Sequence, residues 1–253
     1  MRNTVGLWLI VVGTLLCVQA AFAGESGALV LFDQGHDQRF LIEEKEDLQL
    51  SKLADIFRTQ GVNVVSTKQP LTDVALKSFS ALVISGPFEA LRPEEVEAVV
   101  HFVENGGRLA VMLHIGPPLE GLLSRLDVDH SNAVLHERNN VIDSDMNFRV
   151  TTLSDSPLLA GIKYFSLYGG WAIDPGKTGT SIAQTSTDAW ADLDGNKLLS
   201  RGDVIGAFTV AVSGKLGSGS FAVFGDDAIF QNRYLDENNS RLAANLARWL
   251  AGR

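Results

Sequence analysis

Four short apolar runs constrain this chain more than anything else in it: ALVLF from Ala28 to Phe32, VNVVS from Val62, ALVISG from Ala81 to Gly86 and RLAVMLH from Arg108 to His114. They are too short for buried helices and are bounded by polar or glycine-containing turns, so they read as buried strands. The segments between them carry the helical period. Leu50, Leu53, Ile56 and Phe57 fall on one helical face, and Gly61 stands where that helix stops. Pro93 with Glu94, Glu95 and Glu97 opens another helix, whose Val96, Val99, Val100 and Val103 share a face and which Gly106-Gly107 closes. Strand alternating with helix predicts an α/β fold: a flavodoxin-like, doubly wound, mostly parallel sheet with right-handed crossovers.

From about Leu126 to Ala211 the pattern breaks into short β-like runs, glycine-rich turns such as Tyr168-Gly169-Gly170-Trp171, and acidic patches. This stretch, 126–211, is expected to be an irregular β-rich insertion. Beyond it, VIGAFTVAVSGKLGSGSFAVFGD reads as two strands joined by a Gly-Ser-Lys turn. A last helix, with Leu242, Leu246, Trp249 and Leu250 on one face, is expected to dock on the sheet. Apolar residues make up 45% and charged ones 20% of 253 residues, with no repeat or low-complexity linker, which predicts one domain over 24–253.

Residues 1–23, MRNTVGLWLIVVGTLLCVQAAFA, combine a basic start at Arg2, an apolar run from Val5 to Val18 and small residues at Ala21 and Ala23. They read as a Sec signal peptide, the run being well short of the roughly 20 residues of a spanning helix. The expectation is an exported protein, periplasmic or secreted, not integral to the membrane after cleavage. Cys17, the single cysteine, would leave with the signal, excluding a disulfide, a thiolate metal site and a cysteine nucleophile from the mature chain. Losing Arg2 takes the net charge from −9 to −10, and the remaining cations form no stripe, so nucleic acid is not an expected partner.

In an open parallel sheet the ligand crevice lies outside the carboxyl ends of the strands. There the chain places Asp33, Gln34, His36 and Asp37; Ser85, Gly86 and Pro87; His114; and Gly225, Asp226 and Asp227 with Gln231 and Asn232, of which Asp33, Gln34, His36, Ser85, Gly86, His114, Gly225, Asp226 and Asn232 are the candidate ligand-binding set. Turn carboxylates and amides of this kind also serve as caps for backbone amides. His36, His114 and Asp226 suit an acid–base or metal-binding group, although their spacing does not require one. Ser85 lacks a G-x-S-x-G context for a nucleophile. Tyr168, Trp171 and Trp190 sit among glycines and acids, as in sugar-stacking surfaces, but equally as aromatic plugs of a core.

DLDGNKLLSRGD, Asp192 to Asp203, is a separate feature. Asp192, Asp194, Asn196, Ser200 and Asp203 occupy loop positions one, three, five, nine and twelve, with the Leu198 carbonyl at seven, as in an EF-hand or dockerin calcium loop. Lys197 replaces the usual glycine at position six and Asp203 the usual glutamate. Polar hairpins of similar composition occur without an ion, so the expectation is no cofactor, with calcium at this loop as the alternative.

Three segments, VLFDQGHDQRF, LVISGPFEALRPEEVEAVVHFVENGGRLAVMLH and GSGSFAVFGDDAIFQNRYLDENNSRLAANLARWLAG, resemble the class I glutamine amidotransferase-like fold. Within it they resemble a branch of largely uncharacterised proteins related to gliding-motility and intraflagellar-transport type domains. In catalytic members of that fold the strand matching LAVML ends in an elbow that bears cysteine. Leu113 falls at that position and His114 follows, so the resemblance implies an elbow without its nucleophile. The resulting expectation is a non-catalytic protein that binds a small ligand or an envelope protein partner, and the resemblance suggests an accessory role beside an envelope ABC-type transport or assembly system. The alternative is a periplasmic hydrolase of glycans or amides using His36, His114 and Asp226, with or without a metal.

Overall fold

The computed structural model describes residues 27–114 and 116–253; the expected signal segment and Cys17 lie outside them. The four apolar runs form β1 (Leu29–Asp33), β2 (Asn63–Thr67), β3 (Ala81–Ser85) and β4 (Arg108–Met112), all parallel in the order β2-β1-β3-β4. The strand Gly219–Phe224 continues the sheet parallel to β4, and Thr209–Leu216 returns antiparallel beside it.

Alternation within each strand divides the apolar side chains between two cores. Val30 and Phe32 of β1, Val83 of β3 and Met112 of β4 pack with α1 (Ser51–Thr59) through Leu53 and Phe57. Leu31, Leu82, Ile84, Leu109 and Val111 face the opposite way, onto α2 (Asp73–Leu76), α3 (Pro93–Glu104) and α4 (Glu120–Arg125). Helix α5 (Glu237–Leu250) lies with α1, burying Leu242, Leu246 and Leu250, as its period requires. Each fully buried side chain of this size stabilises by roughly 1.5–3 kcal/mol before chain entropy is subtracted. No helix among the described residues is long and apolar enough to cross a membrane.

Two expectations need correction. The stretch 126–211 is β-rich as expected, but it is not an insertion apart from the sheet: Gly179–Gln184 and Thr152–Leu153 add antiparallel strands to the main sheet, making it eight-stranded and mixed. The remainder builds a four-stranded antiparallel sheet (Trp171–Asp174, Asp129–His136, Trp190–Ala191, Val204–Ile205) and a three-stranded one (Val141–Ser144, Asn147–Val150, Phe165–Tyr168). Most of these strands have four residues or fewer and carry little periodic signal, and several pair with partners distant in sequence, as Trp171–Asp174 does with Asp129–His136. The second correction is the last hairpin, which turns at Gly217-Ser218 while Ser213, Gly214 and Lys215 stay in the strand. Gly217 has φ +58° and touches the backbone of Glu104, whereas Gly214 is a strand glycine covered by the Phe221 ring.

Candidate functional site at the carboxyl ends of the strands

The chain leaves β1 in the polar loop that follows Asp33, and there His36 is enclosed. Its Nδ1 lies 2.7 Å from Asp33 Oδ2 and its Nε2 3.2 Å from Glu95 Oε2 on α3. Gln38 donates to the same Asp33 oxygen at 2.5 Å, and the His36 carbonyl accepts the amides of Phe88 and Glu89. Burial works against a charged His36, but Asp33 and Glu95 outweigh it and hold its pKa above the ordinary value. Glu95 also accepts the Leu71 amide and both the amide and Nε of Arg92. Against its own burial, these donors and His36 hold its carboxyl down to about 2. His36 therefore ties β1 to α3 and has no free ring nitrogen for chemistry.

His114 is different. It follows β4 directly, its side chain is 35% exposed, and its Nδ1 lies 3.0 Å from Asp227 Oδ1. That hydrogen bond leads the causes that raise its pKa, with burial opposing. The ring packs in a three-ring cluster with Phe40 and Phe88, at centroid distances of 5.2 and 5.0 Å, and the Arg39 guanidinium lies 4.0 Å over Phe88. Nδ1 is directed to Asp227, and Nε2 makes no hydrogen bond among the described residues. The Trp171 indole donates to the His114 carbonyl at 3.0 Å, so a strand of the four-stranded sheet fixes this corner from outside.

The acidic pair after Gly219–Phe224 divides its work in a way the sequence did not reveal. Asp226 accepts the Tyr168 amide at 2.7 Å and the Ala228 amide at 2.8 Å. Complete burial, and then the charge of Asp227, push its carboxyl up to about 8 despite those amides. Asp227 is the partner of His114, and burial raises its pKa while His114 opposes. Its Oδ2 and the Ser85 Oγ are buried without a hydrogen-bond partner. Gly86, at φ +53°, leaves the space: a Cβ there would stand 2.2 Å from Asp227 Oδ2.

The expected group His36, His114 and Asp226 is thus not assembled as such: each histidine has its own carboxylates, and Asp226 is spent on backbone amides. Gln34 donates to Glu43 at 3.0 Å. Gly225 joins the Trp171 amide to the strand end. Asn232 lies away from the crevice in role, accepting the Lys52 amide and donating to Glu46 and Ser51, so it holds the start of α1. Glu95, Phe40 and Phe88 were not among the expected residues, and Asp227 was placed at the strand end without a role. Asp227 had a signal in its adjacency to Asp226, while Glu95 was read only as a helix-dipole carboxylate. Trp190 is buried and stacked on His136, and Tyr168 stacks on Tyr234 at 4.0 Å, so neither offers a free sugar-stacking face. The loop with Asp192, Asp194, Asn196, Leu198, Ser200 and Asp203 lies elsewhere, between Trp190–Ala191 and Val204–Ile205.

Comparison with known proteins adds the following. A family model described as "Domain of unknown function (DUF4350)" matches residues 43–247. No curated protein matches the chain. Among solved structures, the mmIFT52 N-terminal domain is similar at 18% identity, covering 88% of this chain and 97% of its own, with a TM-score of 0.69. A cytoplasmic protein from Salmonella typhimurium LT2 is similar at 14% identity, covering 88% and 99%, with a TM-score of 0.58. At such identities the likeness is one of fold. It agrees with the intraflagellar-transport type relation expected from the sequence, while no glutamine amidotransferase is among these findings.

Proposed function

The chain belongs to the family described as domain of unknown function DUF4350, and we propose that it is an exported, non-catalytic binding protein whose ligand seats at the carboxyl ends of β1, β3 and β4. One observation carries this reading: His114, 35% exposed and backed by Asp227, clusters with the rings of Phe40 and Phe88, and the Arg39 guanidinium lies over Phe88. A histidine held toward its charged form in an aromatic cluster that also carries a guanidinium suits a small molecule with an acidic group on a flat apolar body. Leu113 at the end of β4 supports the non-catalytic reading, because it offers no nucleophile. The β2-β1-β3-β4 order supports taking the frame as flavodoxin-like and, with Leu113-His114, as a relative of the amidotransferase-like fold. Export rests on residues 1–23, and an accessory place beside an envelope transport or assembly system rests on the resemblance alone.

Benzoate is a suitable probe. In a titration followed by amide chemical shifts, benzoate is expected to move Phe40, Phe88 and His114 together, and His114→Gln to weaken the effect at least tenfold. Shifts confined to another surface, or an unchanged response in His114→Gln, would refute the crevice. The His114–Asp227 pair also favours a second reading, a hydrolase in which His114 takes a proton from water. Turnover of a glycan or amide substrate that disappears in His114→Gln would establish it in place of the first.

A further inference from the structure

We propose that the loop Asp192–Asp203 is a divalent-cation site of the calcium class, formed by side-chain oxygens of Asp192, Asp194, Asn196, Ser200 and Asp203 with the Leu198 carbonyl. One carboxylate oxygen from each of Asp192, Asp194 and Asp203 lies within 4.8 Å of the others. Oxygens bound to one calcium ion at about 2.3–2.6 Å stand at most roughly 5 Å apart, so all three reach a common ion. The chain is already wound as such a loop requires. Asp192 accepts the amides of Asn196 and Lys197, Asn196 accepts the amide of Leu198, and Asp203 accepts those of Leu193 and Ser200. Lys197, at the position where these loops turn on glycine, has φ +62°.

The independent observation is His136, on the neighbouring strand Asp129–His136. It is 1% exposed, and neither ring nitrogen has a hydrogen-bond partner. Nδ1 lies 3.0 Å from Asp145 Oδ2 but outside hydrogen-bonding geometry. Nε2 points at Asp192 Oδ2 from 3.9 Å, and stacking on Trp190 at 4.1 Å fixes that direction. Leaving a buried donor unpaired costs about 1–3 kcal/mol. The arrangement is that of a ligand's outer support: when Asp192 turns one oxygen to an ion, the other comes within reach of the His136 N–H, which holds the carboxylate in place. His136 is therefore a positioning residue, not a ligand. Oxygen donors alone select a hard cation, and a flexible loop with three carboxylates suits calcium better than the small, rigidly octahedral magnesium.

Calcium titration of the chelator-treated protein by calorimetry tests this. One ion per chain is expected, with an affinity on the order of 10⁻⁴–10⁻³ M and a weaker response to magnesium. Asp194→Asn, at an exposed side chain that leaves the fold intact, is expected to lose at least tenfold in affinity along with the calcium-dependent rise in melting temperature. His136→Ala is expected to lose about tenfold. No heat and no thermal shift at 5 mM calcium, roughly fivefold above the weakest affinity expected, would overturn the site. So would binding that Asp194→Asn leaves unchanged, since the ion would then lie elsewhere. An unchanged affinity in His136→Ala, with the Asp194 effect intact, would overturn the role given to His136.

Discussion

At the residue scale, the crevice separates two histidines that the sequence treats alike. Both follow parallel strands and both have carboxylates near them. His36 has a carboxylate on each nitrogen and is nearly closed to solvent, whereas His114 has one carboxylate and an open side. Which acid meets which histidine depends on angles at strand ends, so Asp227 could not be told from Asp226 by spacing. Glu95 illustrates the same limit: a first-turn glutamate is ordinarily solvated, and only the loop after β1 makes this one a buried hub. Glu95→Gln replaces an all-acceptor group by one whose NH₂ must oppose an N–H donor. It is expected to destabilise the protein by about 3 kcal/mol, read as a lower urea midpoint, and His36 should titrate at lower pH in the variant by NMR.

At the element scale, the helices were legible because each carries its own periodicity and stop signals. Helix α3 begins at Pro93 and α1 ends just before Gly61, as read. Helix α5 has a further device in Asp236, which accepts the amides of Asn238 and Asn239 and the Ser166 hydroxyl. Asn239 then reaches from the first turn of α5 to the carbonyls of Ser166, Ile229 and Tyr234. This joins the helix start to the three-stranded sheet and to the segment after Asp227. Asp236→Ala is expected to cost about 1–2 kcal/mol, as for a lost N-cap, measured by thermal melting. The β character of 126–211 was legible but its pairing was not, because pairs such as Gly179–Gln184 with Thr209–Leu216 are set by contacts across the molecule, not by local pattern.

At the scale of the whole molecule, the buried titratable groups set a pH window for stability. The native Asp226 keeps its proton up to about 8, whereas the unfolded chain loses it near 3.8. Stability therefore falls as pH rises between those values. His36 and His114, with pKa values raised above 6.5, act in the same sense: their contribution is full below 6.5 and is lost as pH rises through the native values. Glu95, held at about 2 against an ordinary 4.5, contributes above 4.5 and loses that contribution as pH falls toward 2. Melting temperature is expected to be highest near pH 4, between 3.8 and 4.5, where the gain from Glu95 and the loss from Asp226 balance, and to decline on both sides. Asp226→Asn should flatten the decline between pH 6.5 and 8; a slope equal to that of the unaltered protein would show that Asp226 does not hold its proton.

By itself the sequence determined the alternating strands and helices of the first half and the docking face of the last helix, because each is written in residues near one another along the chain. Tertiary structure alone decided that the middle segment completes the main sheet, that His36 is locked and His114 open, and that His136 comes to lie behind Asp192. The physical reason is that pairing, burial and charge coupling depend on distances between residues far apart in sequence, and those distances exist only once the two cores have closed on the sheet.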